Sequence, residues 1–172
     1  MSTTRVTASQ SAACGVLAPD FALRDVARGV DAAPVRLRAW RQRRPALLAL
    51  LPSVGAAQNA RWLRALAEAR DELAIYDTMT LAIAPEMEAR RLLREVDATL
   101  PLLVDTDGAA LAAYLGASST LPALAVIDRY SALAALLPAL GPDEAPDLPG
   151  ALRELAYADQ QECACALPAW VE

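Results

Sequence analysis

Two cysteines separated by a single residue, Cys163 and Cys165, are the side chains of this sequence best suited to reactive chemistry. Two thiols so close together can form a strained, easily reduced disulfide that suits thiol-disulfide exchange. They can equally supply two soft ligands to a metal ion, and Cys14 would bring the count to three, one short of a closed zinc site. A redox-silent pair near the chain end is the third alternative, and the residues leave all three open.

Missing residue types exclude several mechanisms. All 16 basic residues are arginine, and the 172 residues include neither lysine nor histidine. A Ser-His or Cys-His dyad, a lysine Schiff base and a His-ligated zinc are therefore impossible within this chain. The net charge of −5 also argues against the broad basic surface of a nucleic-acid-binding protein.

One segment departs from this acidic balance. The stretch RLRAWRQRR holds five arginines, namely Arg36, Arg38, Arg41, Arg43 and Arg44. Such a cluster could hold a phosphate or an acidic partner. A solvated edge strand and loop, whose charges keep the edge from pairing with other chains, explains the same residues, and we expect this second arrangement.

Hydropathy and cysteine content indicate where in the cell the protein is expected. No apolar run approaches the roughly 18 residues of a membrane span, and the N-terminal MSTTRVTASQSAACG lacks the apolar stretch of a secretory signal. An odd number of cysteines without a signal also argues against a secreted disulfide framework. We therefore expect a cytoplasmic protein that binds neither membranes nor nucleic acid.

The first half of the chain alternates strand and helix patterns. Two short alternating stretches, Phe21 to Leu23 and Val35 to Leu37, predict an N-terminal β-hairpin. The continuous apolar run PALLALL, residues 45 to 51, predicts a strand buried on both faces. Helical periodicity from Ala57 to Leu73, an apolar strand from Met79 to Ala84 and a helix over residues 86 to 96 follow.

The second half predicts a mixed sheet. A short strand within residues 100 to 108, a helix ending at Gly116, an antiparallel strand pair around residues 128 to 131 and a last helix from Leu148 to about Gln160 complete the pattern. We expect a disordered lead-in over residues 1 to 14, one α/β domain over 15 to 160, and a cysteine-containing tail over 161 to 172. Ligands gather at the carboxyl ends of parallel strands, so the loop from Pro52 to Gln58 is the default site.

Three motifs, in order, carry a resemblance to a known group. GVLAPDFALRD resembles the opening signature of the redoxin group, PLLVDTDGAALAAYLG resembles a later segment of that group, and LPALAVIDRYSAL resembles its strand-turn-strand hairpin. The group includes the peroxiredoxins of the alkyl hydroperoxide reductase/thiol-specific antioxidant family. The resemblance implies a thioredoxin-like three-layer α/β/α sandwich with a mixed sheet and an N-terminal hairpin extension. It also places Pro122 where that fold keeps a cis-proline.

The resemblance further implies a thiol in the loop after the first buried strand, and none is present. Counting from Pro52 by the peroxiredoxin pattern puts Ala56 at the hydroxyl position and Asn59 at the cysteine position. A Cys-x-x-Cys motif over the same loop would fall on Gly55 and Gln58. An amide cannot reduce a peroxide, because the nucleophile in this chemistry is a thiolate.

These observations predict a redoxin-like protein that has lost its loop nucleophile. It either exchanges thiols through Cys163 and Cys165 or serves as a non-catalytic binding or regulatory module, without a cofactor. The partner would be a protein thiol or a peptide, and by resemblance the protein would form a homodimer. The alternatives are a divergent thiol peroxidase and a metal held by the tail cysteines.

Overall fold

A computed structural model describes the backbone over residues 14–29, 31–96, 100–141 and 143–165, with side chains up to residue 158. Seven strands and five α-helices lie within these ranges. The strands are β1 (Ala22–Asp25), β2 (Val35–Arg36), β3 (Ala46–Leu50), β4 (Met79–Pro85), β5 (Leu102–Asp105), β6 (Ala123–Ile127) and β7 (Leu133–Pro138). The helices are α1 (Ala57–Glu68), α2 (Arg70–Ala74), α3 (Glu86–Glu95), α4 (Ala109–Leu115) and α5 (Leu148–Cys165), with short 3-10 turns at Val26–Arg28 and Leu37–Trp40.

All seven strands form one mixed sheet. Their order is β2-β1-β5-β4-β3-β6-β7. The central strand β3 runs parallel to β4, and β4 runs parallel to β5, whereas all the other pairs are antiparallel. The N-terminal hairpin β1–β2 joins the sheet through β5, as the sequence predicted.

The sheet is covered on both faces, so the architecture is a three-layer sandwich. Alternate residues of β3 point to opposite sides, with Leu47 and Ala49 in one apolar cluster and Leu48 and Leu50 in the other. Helices α1, α2, α3 and α5 pack on the first side. Helix α4 and the segment around Phe21 pack on the second side. Burial on both faces explains why β3 is a continuous apolar run.

Two predicted helix boundaries differ from the structure. The helix predicted from Ala57 to Leu73 bends at Ala69, and this bend buries Leu73 while leaving the neighbouring charged residues exposed. The last helix was predicted to end near Gln160, but it continues to Cys165. Residues 161 to 164 are mostly good helix formers, and no proline interrupts the chain before Pro168.

Candidate functional site

The loop between β3 and α1 lies where the sequence predicted it. β3 ends at Leu50 and α1 begins at Ala57, so the loop emerges at the carboxyl end of the central parallel strand. Pro85 and Asp105, the last residues of β4 and β5, lie at the same edge of the sheet, because these strands pair in parallel. This is the edge at which open α/β sheets bind ligands.

Asn59, at the predicted cysteine position, is buried and hydrogen-bonds to both the loop and α3. It lies in the first turn of α1 with 0% of its surface exposed. Its side-chain nitrogen Nδ2 donates to the backbone oxygen of Ser53 at 2.7 Å and to Oε1 of Glu88 at 2.8 Å. Its oxygen Oδ1 is buried and has no hydrogen-bond partner among the described residues. Asn59 therefore joins the loop to α3 rather than facing solvent as a reactive group.

Glu88, on α3, is the centre of this network and is also 0% exposed. Its Oε2 accepts the backbone N–H of Gly55 at 2.6 Å. Arg91 donates to both carboxylate oxygens, with Nη2 2.6 Å from Oε1 and Nε 2.9 Å from Oε2. The same Nη2 donates to the backbone oxygen of Ala56 at 3.0 Å. Two successive loop residues, Gly55 and Ala56, are thus held by two side chains of α3.

The electrostatics of Glu88 favour its charged form. Burial by itself disfavours a carboxylate, but the hydrogen bonds from Arg91, Asn59 and Gly55 outweigh burial and hold the pKa of Glu88 below its usual value. The same hydrogen bond, which Arg91 donates to Glu88, is the largest contribution that raises the pKa of Arg91. The site therefore contains a paired carboxylate and guanidinium whose charges neutralise each other.

The outer part of the loop contributes little reactive chemistry. The Ser53 hydroxyl donates to the backbone oxygen of Thr120, so this hydroxyl is engaged with the segment before β6. Ala56, at the position where the peroxiredoxin pattern has a hydroxyl, offers only a methyl group. Val54 is 56% exposed. A hollow of about 170 Å³ lies beside the loop, and its lining includes Pro52, Pro85 and Ser119.

Pro122 does not have the predicted cis geometry. No cis peptide bond occurs among the described residues, so the bond before Pro122 is trans. The Pro122 backbone oxygen accepts the N–H of Ala139 at 2.9 Å, which extends the β6–β7 ladder by one step. The trans isomer is the one that X–Pro bonds ordinarily favour, by about 0.5 to 1 kcal/mol.

Side chains in the first turns of α1 also hydrogen-bond to the segment between β7 and α5. The Gln58 side-chain nitrogen donates to the backbone oxygens of Gly141 and Glu144 at 2.9 and 3.1 Å. The buried Trp62 donates from Nε1 to the same Glu144 oxygen at 2.8 Å. Beside it lies an open cleft of about 480 Å³, lined mainly by apolar and proline side chains of the segment between β7 and α5. Gln58, the second candidate cysteine position, therefore has a structural partner as well.

Asp105 is the second buried carboxyl at this edge. It is 2% exposed, and its Oδ2 accepts the backbone N–H of Leu111 at 2.8 Å. Oδ1 has no hydrogen-bond partner among the described residues. Burial is the main cause that raises the pKa of Asp105, and the nearby Asp107 carboxyl contributes in the same direction.

Replacing Asp105 with Asn is expected to stabilise the protein at neutral pH by about 1 kcal/mol, because it removes a buried charge that is only partly hydrogen-bonded. The amide oxygen can still accept from Leu111. Since the folded-state pKa of Asp105 is raised, the stability gain of Asp105→Asn over wild type should be full at neutral pH. This gain should shrink as the pH falls through that pKa. Urea denaturation of both proteins at several pH values measures the difference. A variant less stable than wild type at neutral pH would contradict this account.

Of the three cysteines, only Cys14 has a described side chain. Cys14 is an exposed free thiol. Its neighbour Gly15 bonds to Leu133, at the end of the sheet opposite the loop. The backbones of Cys163 and Cys165 belong to α5, and their side chains lie outside the described residues. No group of three or more potential metal ligands occurs in the described part of the chain.

Sequence reasoning missed Glu88 and Arg91. The sequence shows Glu88 only as an acidic residue in the first turn of the helix predicted over residues 86 to 96, where the helix dipole favours it. The spacing of three between Glu88 and Arg91 was the available signal, since such residues are neighbours on a helix. That spacing does not distinguish a solvated pair such as Glu86 and Arg90 from a buried one.

The architecture is that of known peroxiredoxins. A reduced 2-Cys peroxiredoxin of Plasmodium vivax superposes with a TM-score of 0.76 at 19% identity, covering 92% of this chain and 89% of its own. The peroxidoxin BcpB of Mycobacterium tuberculosis gives 0.69 at 20% identity, covering 85% of this chain and 97% of its own. A yeast mitochondrial 1-Cys peroxiredoxin gives a TM-score of 0.69 at 12% identity, covering 93% of this chain and 83% of its own.

Neither a protein-family model nor a curated protein matches the sequence. The structural similarities confirm the thioredoxin-like, peroxiredoxin-type fold that the three motifs predicted. Among the described residues, no helix is both long and apolar enough to span a membrane.

Proposed function

We propose that this peroxiredoxin-like protein performs no thiol chemistry at its loop and acts as a non-catalytic binding module. The observation that carries the proposal is the burial of Asn59, whose amide is bonded to Ser53 and Glu88. A peroxidase needs an accessible thiolate at this place. Here an amide without nucleophilic character fills the position, and the nearest carboxylate is neutralised by Arg91.

The binding surface we propose is the face around the loop. Thioredoxin-like folds receive peptides at the corresponding face, and this resemblance is one support. The others are the exposed Val54 and the hollow bounded by Pro52, Pro85 and Ser119, which offer a partly apolar surface without a reactive group. An extended peptide segment with an apolar side chain is the ligand whose chemistry fits this face.

The decisive experiment compares wild type with a Cys163→Ser/Cys165→Ser variant in two assays, peroxide consumption with dithiothreitol and insulin reduction. We expect wild type to be no faster than buffer in either assay. Turnover that the double variant abolishes would contradict the proposal and assign exchange chemistry to Cys163 and Cys165. Turnover that persists in the double variant would also contradict the proposal, because it would indicate a divergent peroxidase that uses another group. Stoichiometric zinc in wild type, absent from the double variant, would assign those cysteines to a metal.

A homodimer is a further part of the proposal, and it rests only on the resemblance to peroxiredoxins. Sedimentation velocity of the wild-type chain tests it directly. A monomer across the accessible concentration range would remove the homodimer and leave the binding proposal unaffected, because the loop face is complete within one chain.

A further inference from the structure

The arginine segment that the sequence singled out carries four exposed charges. We define the arginine surface as Arg36, Arg38, Arg41 and Arg43, all of which are exposed. Arg38 pairs with Asp20 at 3.8 Å. The other three have no ion pair among the described residues. Arg44, by contrast, is half-buried and pairs with Asp77, so it is not part of this surface.

The backbone under the arginine surface is fixed. The segment follows the edge strand β2 and continues into the 3-10 turn at Leu37–Trp40. Leu37 is buried, and its N–H donates to the oxygen of Phe21. Beyond the turn, the N–H of Gln42 donates to the oxygen of Arg129. The arginines therefore extend from a scaffold that is already ordered, which reduces the entropy lost when they bind a partner.

An apolar hollow lies beside the guanidinium groups. It has a volume of about 190 Å³, and its lining is Leu17, Ala18, Asp20, Leu37, Arg38, Arg41 and Ser131. Leu17 is 63% exposed despite being apolar. The only acidic group in the lining, Asp20, is already engaged by the side chain and backbone of Arg38. The hollow thus combines an apolar floor with the guanidinium of Arg41, which has no ion pair within the described ranges.

We propose that the arginine surface and this hollow dock an acidic segment of a partner protein, with an aliphatic side chain of that segment in the hollow. Arginine forks bind carboxylates in a bidentate manner. The chain has a net charge of −5, so this local positive patch suits a short acidic peptide better than the extended backbone of a nucleic acid.

This proposal is independent of the proposed function. Arg41 and Arg43 precede β3, whereas the loop at Pro52 follows it, so the two surfaces lie at opposite ends of a strand about 16 Å long. Single exposed ion pairs contribute little, about 0 to 1 kcal/mol each. Affinity therefore depends on several arginines acting together with the apolar contact, and it should fall as the salt concentration rises.

The test measures fluorescence anisotropy of a labelled peptide made of glutamates around a central leucine. The variant is Arg41→Glu/Arg43→Glu, and its matched control is Arg70→Glu/Arg94→Glu, which changes the net charge equally at exposed positions elsewhere. We expect the first variant to weaken binding about tenfold or more and the control to weaken it less than about twofold. A milder Arg41→Gln/Arg43→Gln variant should also weaken binding, and thermal unfolding verifies that each variant folds.

Further measurements distinguish the acidic peptide from other ligands that this surface could bind. Replacing the central leucine of the peptide with serine should weaken binding to wild type severalfold, because the hollow then loses its apolar contact. Absence of peptide binding, or equal weakening by both double variants, would overturn the proposal. Tighter binding of a 12-nucleotide oligouridylate would overturn it in favour of nucleic acid. Self-association of wild type that Arg41→Glu/Arg43→Glu abolishes would assign the surface to a second copy of the chain.

Discussion

Replacing Glu88 with Ala should lower the free energy of unfolding by roughly 3 to 5 kcal/mol, the usual cost of removing one partner of a buried ion pair. The substitution removes an acceptor from three donors: the Gly55 N–H, the Asn59 amide and the Arg91 guanidinium. Asn59 keeps its bond to Ser53, and Arg91 keeps its contacts with Ala56 and Glu95. Arg91 is only 22% exposed, so water can replace the carboxylate only in part. The loss is therefore both electrostatic and structural, because the loop residues lose their attachment to α3.

The matched control is Glu86→Ala on the same helix. Glu86 pairs with Arg90 and Arg24, but its side chain is 37% exposed, so water replaces these partners and stability should change little. Urea denaturation monitored by tryptophan fluorescence measures both variants. Equal effects of the two substitutions would show that the buried network does not stabilise the fold more than a surface pair does.

The pH dependence of Glu88 has a definite sign. Its folded-state pKa lies below the ordinary value of a glutamate, so the carboxylate contributes stability that is present above the unfolded-state pKa. That contribution is lost as the pH falls through the folded-state value. The stability difference between wild type and Glu88→Gln should therefore shrink on acidification from neutral pH.

The sequence predicted the framework of the site because that framework depends on local patterns. The apolar run of β3 between prolines, the polar loop and the amphipathic α1 follow from periodicity and composition within about 25 residues. Counting along the peroxiredoxin pattern from Pro52 then identified Asn59. The structure places Asn59, buried, in the first turn of α1.

What the sequence could not predict is which distant groups meet at the loop. Glu88 lies 29 residues from Asn59 and Ser53 lies 67 residues from Thr120, and no local pattern encodes such separations. On its own helix Glu88 resembles Glu86, since both are acidic residues in the first turn. Only packing against α1 distinguishes them.

Installing a cysteine at residue 59 should produce an unreactive thiol with a raised pKa. In a background of Cys14→Ser, Cys163→Ser and Cys165→Ser, Asn59→Cys leaves a single thiol in the chain. That thiol would be buried beside Glu88, which now contacts the Asn59 amide at 2.8 Å. Burial and a neighbouring carboxylate both disfavour the thiolate, so the apparent pKa should exceed the ordinary thiol value of about 8.5.

Adding Glu88→Gln to this variant should lower the apparent pKa of the thiol by about one unit or more, because the like charge is removed while Arg91 remains. At neutral pH the rate of alkylation by iodoacetamide should then rise about tenfold. The matched control adds Glu86→Gln, an exposed carboxylate on the same helix, and should leave the rate unchanged. Measuring that rate against pH for the three proteins gives the three pKa values. A depressed pKa in the Asn59→Cys variant alone would contradict the role assigned to Glu88, since it would mean that Arg91 already favours a thiolate at this loop.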